Sequence, residues 1–157
     1  MSNILIAYFS VGGVTAELAK KLAEVIHADL HVIVPEKPYT SADLDWTNSK
    51  SRTTMEMNDK SFRPTVANRV ENMSDYDTIF IGFPIWWYIA PTIINTFLEQ
   101  YDLTGKKIIP FATSGGSGMG NTNAELKVSC KGAILCEGKR FDTSTNTEEL
   151  KNWATKF

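Results

Sequence analysis

The sequence predicts an α/β fold, an open sheet of five parallel strands in the order 2-1-3-4-5 with helices on both faces. Three observations lead there. The apolar runs are continuous rather than alternating, as in strands covered on both sides. Segments of helical periodicity separate them, which is the pattern of βαβ units. The chain has 157 residues and is 43% hydrophobic, which suits one domain, residues 1–157, with a substantial core.

The first strand is "ILIAYF" from Ile4. Val14, Leu18, Leu22, Val25 and Ile26 then recur at helical spacing, so a helix begins near Val14. "LHVIVP" from Leu30 is a weaker, edge-like strand ending at Pro35. The next strand is "TIFIGF" from Thr78, and after Pro91 the stretch "TIINTFLEQYDLTGKK" carries an apolar stripe of Ile94, Phe97, Leu98 and Tyr101, closed by Gly105. "KKIIPFATS" from Lys106 and "AILC" from Ala133 are the fourth and fifth strands, with a helix expected between them. "NTEELKNWATKF" is a last helix with an Asn or Thr cap, Glu in its first turn, and Leu150 and Trp153 on one face. The polar stretch from Pro35 to Val66 is too long for an idle connector. It is either a functional flap or a solvated insertion with a short helix near Met55.

Right-handed crossovers place the second strand on one side of the first and the third on the other, which opens a crevice between strands one and three. Three loops meet there. The first, Ser10, Val11, Gly12, Gly13, Val14 and Thr15, runs into a helix N-terminus, where unpaired N–H groups and the helix dipole favour an anion. It lacks the GK[ST] of a nucleotide-hydrolysing loop, so the expected guest is a phosphate that stays attached. The second, Pro84, Ile85, Trp86, Trp87 and Tyr88, offers aromatic surface to a planar heterocycle, with one tryptophan allowed to pack under a helix. The third, Thr113, Ser114, Gly115, Gly116, Ser117 and Gly118, combines hydroxyls with glycines that permit close backbone approach.

Other features exclude rather than assign. A net charge of −2 with no run of like charge argues against nucleic acid. The N-terminal apolar run is too short for a membrane span and lacks a basic flank, which points to a cytoplasmic protein without a membrane partner. Cys130 and Cys136 have no metal-ligand spacing and are expected to be reduced packing residues, and no metal is expected. His27 and His31 fall away from the strand C-termini and suit surface or capping positions.

From "ILIAYFS" onward, and most specifically through "GFPIWWYIAPTIINTFLEQYDLTGKKIIPFATSGGSG", the sequence resembles the flavodoxins. The resemblance implies a flavodoxin-like fold and non-covalent FMN, with the first loop on the phosphate and the other two around the isoalloxazine. Flavodoxins commonly have SxTGNT in the first loop. Here Gly12 and Val14 replace a threonine hydroxyl and an asparagine amide. With no long insertion in the fifth strand, the chain resembles the short-chain type with an enlarged connection after strand two.

The flavin would carry the electrons while the protein orients it, so no catalytic residue is required. The first expectation is a monomeric carrier of low-potential electrons between redox partner proteins. An NAD(P)H-dependent FMN oxidoreductase acting on quinones is the enzymatic alternative. A flavin-free interaction module is the third.

Overall fold

The computed structural model describes residues 3–114, 118–142 and 144–157. The elements follow in the order β1 (Ile4–Tyr8), α1 (Val14–Ile26), β2 (Asp29–Val32), α2 (Arg52–Asn58), β3 (Thr78–Pro84), α3 (Thr92–Glu99), β4 (Lys107–Thr113), α4 (Thr122–Lys127), β5 (Ile134–Leu135), β6 (Lys139–Phe141) and α5 (Thr147–Ala154). The sheet has the order β2-β1-β3-β4-β5, with β6 also pairing with β4, and its ladders are parallel.

Continuous apolar strands serve two cores because successive side chains leave opposite faces of a sheet. Leu5, Ala7, Ile79, Ile81, Phe83 and Ile108 pack with Ile93, Ile94, Phe97 and Leu98 of α3. Their neighbours Ile6, Phe80, Ile109 and Phe111 pack with Leu18 and Leu22 of α1 and with Leu150 and Trp153 of α5. The Asn146 side chain caps α5 by accepting from the N–H of Glu149 at 2.8 Å.

Two boundaries depart from the sequence pattern. The helix after Pro91 stops at Glu99, well short of Gly105. There Asp102 Oδ1 accepts from the Thr104 N–H at 3.1 Å and from its hydroxyl at 2.7 Å, a local turn that competes with further helix. The fifth strand position is filled by two short segments rather than one, and the cause is Pro110. Ile134 donates to the Lys106 carbonyl and Cys136 to that of Ile108, so Pro110 is the next β4 position facing that edge. Proline has no N–H to give to the Cys136 carbonyl. The Asn123 side chain supplies the missing donor at 2.8 Å, and pairing resumes at β6.

The connection from Pro35 to Val66 is a docked part of the fold rather than a solvated insertion. Pro35 and Val66 form an antiparallel bridge at its base, and α2 lies where a short helix near Met55 was expected. Glu56, whose side chain is 6% exposed, pairs with Arg52 at 2.9 Å. The Tyr39 hydroxyl donates to Glu56 at 2.6 Å, and the Arg52 guanidinium lies 3.8 Å from the centroid of the Tyr39 ring. Burial and the adjacent carboxylate push the Tyr39 hydroxyl well above the usual phenol range. Further out, Lys60 reaches Glu125 of α4 at 2.8 Å and Arg63 reaches Glu99 of α3 at 3.0 Å.

Removing Arg52 strands the Glu56 carboxylate. Arg52→Met should therefore destabilise the protein by about 2 to 4 kcal/mol, somewhat less than for a fully enclosed pair because Arg52 retains some solvent. Urea unfolding measures this, and a loss below about 0.5 kcal/mol, the range of an ordinary surface change, would mean that the pair does not hold the segment.

Candidate cofactor site

The first loop turns on Gly13, which caps α1 at φ +87°, a left-handed conformation that glycine adopts without Cβ strain. Ser10 Oγ accepts from the Gly13 N–H at 3.1 Å, folding the loop back on itself. The first bond of α1 runs from Glu17 to the Gly13 carbonyl, so the first-turn N–H groups of Val14, Thr15 and Ala16 have no intrahelical acceptor.

Thr15 and Thr113 lie 98 positions apart in sequence, yet their buried hydroxyls meet at 2.7 Å. The contact fixes the first turn of α1 against the end of β4. Each hydroxyl has one proton and two acceptor sites, so donation by Thr113 leaves the Thr15 proton for a ligand. Beside it the Ile85 N–H donates to the Thr113 carbonyl at 2.9 Å, tying the second loop to the same strand end.

Around this contact lies a cavity of about 700 Å³. It gathers Ser10, Val11, Gly12, Val14 and Thr15 from the first loop, Pro84 and Ile85 from the second, and Thr113 and Ser114 from the third. Arg140, Asp142 and Ser144 complete it, and sequence reasoning missed all three. They sit on and just after β6, the strand segment hidden behind the Pro110 interruption. The only signal was Phe141, a buried apolar residue within an otherwise charged stretch.

The second loop is a two-residue hairpin turn. Trp86 and Ile89 exchange N–H···O bonds at 3.0 and 3.1 Å, leaving Trp87 and Tyr88 at the tip. Their φ values are +49° and +66°. Such a turn favours Asn-Gly, and left-handed backbone at bulky residues costs about 1 to 3 kcal/mol each. Trp86 fills the packing role allowed for one tryptophan, with edge contacts to Phe9 at 5.7 Å and Tyr39 at 5.5 Å. Trp87 and Tyr88 are 41% and 67% exposed.

Gly120 braces this tip. At φ +55°, it lies where a Cβ would come within 2.3 Å of the Tyr88 carbonyl, which accepts from the Asn121 N–H at 3.2 Å. Gly118 has open space beside it, while Gly115, Gly116 and Ser117 lie outside the described residues.

The site thus joins an open helix N-terminus at α1 to an aromatic projection beyond Ile85. His27 is remote from both, capping the C-terminus of α1. His31 is half-buried against Phe97, with ring centroids 5.9 Å apart, and burial lowers its pKa. Among the described residues no cluster of three or more His, Cys, Asp or Glu side chains could hold a metal, and no helix is long and apolar enough to cross a membrane.

The turn strain is open to measurement. Replacing Trp87 by Asn together with Tyr88 by Gly should stabilise the protein by about 1 to 3 kcal/mol, because the new pair adopts left-handed φ at little cost. A lower urea midpoint for the double variant would show that the exposed rings hold the turn rather than strain it.

The sequence matches the flavodoxin family over residues 3–157. A Bacteroides eggerthii structure described as a flavoprotein is 47% identical, covering 97% of this chain and 95% of that one with a TM-score of 0.91. One from Bacteroides uniformis, described in the same way, is 44% identical over 97% of each chain, also with a TM-score of 0.91. A Lactobacillus acidophilus flavoprotein in complex with FMN is 22% identical, covers 96% of this chain and 97% of that one, and shares the fold with a TM-score of 0.74. No curated protein matches the sequence. The chain belongs to the flavodoxin family.

Proposed function

We propose that the protein binds FMN non-covalently and carries low-potential electrons between larger redox proteins, acting as a monomer in the cytoplasm. The observation that carries this reading is the cavity in which an open helix N-terminus and the Thr15–Thr113 hydroxyl pair meet Pro84 and Ile85, the residues that lead into the aromatic turn. FMN supplies one- and two-electron chemistry, and the chain's part is to bind and orient it.

Ser10, Thr15 and the N–H groups of Val11, Gly12, Val14 and Thr15 would hold the phosphate, the Gly13 N–H being taken by Ser10. Trp87 and Tyr88 would offer their rings to the isoalloxazine, and Gly118 would leave room for close backbone approach. An apolar aromatic wall disfavours added negative charge, which suits a low potential for the last electron. The FMN in the Lactobacillus acidophilus relative supports the same cofactor. Trp87 and Tyr88 also provide an exposed surface beside the site through which a partner protein would exchange electrons.

The purified protein should be yellow and release FMN, not FAD, on acid treatment. Ser10→Ala and Thr15→Val should each weaken FMN by about one to two orders of magnitude, the effect of losing a hydroxyl bond to a charged oxygen. Riboflavin binding should change little, since it lacks the phosphate. Fluorescence titration of the apoprotein distinguishes the two, and equal losses for both flavins would remove the phosphate from this loop. Rapid reduction of the loaded protein by NADPH in stopped flow would replace the carrier reading with that of an oxidoreductase.

A further inference from the structure

Resting on the FMN reading, we infer that Arg140 is a specificity-determining residue that supplies the positive charge the first loop lacks and favours phosphorylated over neutral flavin. No Lys or Arg occurs between Ser10 and Thr15, so that loop offers a phosphate dianion only dipoles and neutral donors. Arg140 lines the same cavity. In the register of β4 and β6 it pairs with Ala112, so its side chain leaves the sheet on the face of Ala112 and Ser114, while Thr113, whose hydroxyl touches Thr15, points to the other face.

The guanidinium is already oriented. Its Nε donates to Ser114 Oγ at 2.9 Å and its Nη2 to the Ser114 carbonyl at 3.1 Å. These bonds use two of five N–H donors, leaving both on Nη1 and one on Nη2 as a fork of the kind that matches phosphate oxygens. Among the described residues no carboxylate lies within ion-pair distance of Arg140.

Asp142 lines the cavity as well. The Ser144 hydroxyl and N–H hold its carboxyl below the usual range, and the Arg140 charge adds a smaller push in the same direction. A fixed carboxylate beside Arg140 tempers the positive potential there. Because Arg140 grips Ser114, the first residue after β4, it also links the anion end of the site to the start of the third loop.

The test is titration of the apoprotein with FMN and with riboflavin, at low and high salt, for wild type, Arg140→Met and Arg140→Lys. Arg140→Met should weaken FMN about 10- to 100-fold, as expected for a lost charge-assisted bond, while riboflavin stays within about twofold. The salt dependence of FMN binding should flatten in the same variant. Arg140→Lys keeps the charge without the fork and should recover part of the loss. Equal weakening of both flavins in Arg140→Met would show that Arg140 acts only as a latch on Ser114, and an unchanged FMN-to-riboflavin ratio in that variant would overturn the inference. A wild-type protein that binds neither flavin would instead bring down the cofactor reading, and this inference with it.

Discussion

The hydroxyl contact between Thr15 and Thr113 is the constraint on which the site depends. It joins the first turn of α1, which follows β1, to the end of β4, with β3 lying between those strands. Both residues are almost fully buried, so an unpaired hydroxyl at either position would cost about 1 to 3 kcal/mol. The pair therefore fixes the height of the helix N-terminus above the sheet. Once that is set, Ser10 can close the loop through Gly13, and Ile85 bonds to the carbonyl of the same Thr113. The helix N-terminus and the aromatic turn are thereby referred to one point.

The aromatic turn has the opposite energetic character. Two left-handed residues cost about 2 to 6 kcal/mol together, whereas the edge contacts of Trp86 return about 1 to 3. The turn is held by its surroundings, through Tyr39 and Phe9 beneath it and the Gly120–Asn121 segment beside it. Tyr39 in turn is set by Glu56 and Arg52 of the long connection. That connection thus reaches the site through packing, although none of its residues lines the cavity.

Much of this was legible in the sequence because burial on both faces of a parallel sheet leaves uninterrupted apolar runs such as "TIFIGF". Once a doubly wound sheet was taken as the fold, right-handed crossovers placed the three loops together at one crevice. The hidden parts share a physical cause, in that each depends on a partner distant in sequence. Asn123 completing the ladder at Pro110 leaves no local pattern, and without that repair the strand bearing Arg140 cannot be extended past Cys136. The ion pairs that dock the long connection are likewise indistinguishable, in sequence, from the charges of a solvated loop. Trp87 and Tyr88 were legible as aromatic surface, but their left-handed backbone was not, because a turn that prefers Asn-Gly gives no sign of itself in two bulky rings.

The central claim is that the open N–H groups at the start of α1 hold the phosphate of a flavin whose ring lies toward the aromatic turn. Amide NMR of the labelled apoprotein tests it most directly, with FMN and riboflavin added in turn. The account expects FMN to move the Val14, Thr15 and Ala16 amides strongly downfield, as charge-assisted bonds form, and to shift the Trp87 and Tyr88 signals as well. Riboflavin should affect the aromatic turn while leaving the loop amides nearly unmoved. Equal shifts at the loop with both flavins, or none with FMN, would contradict it.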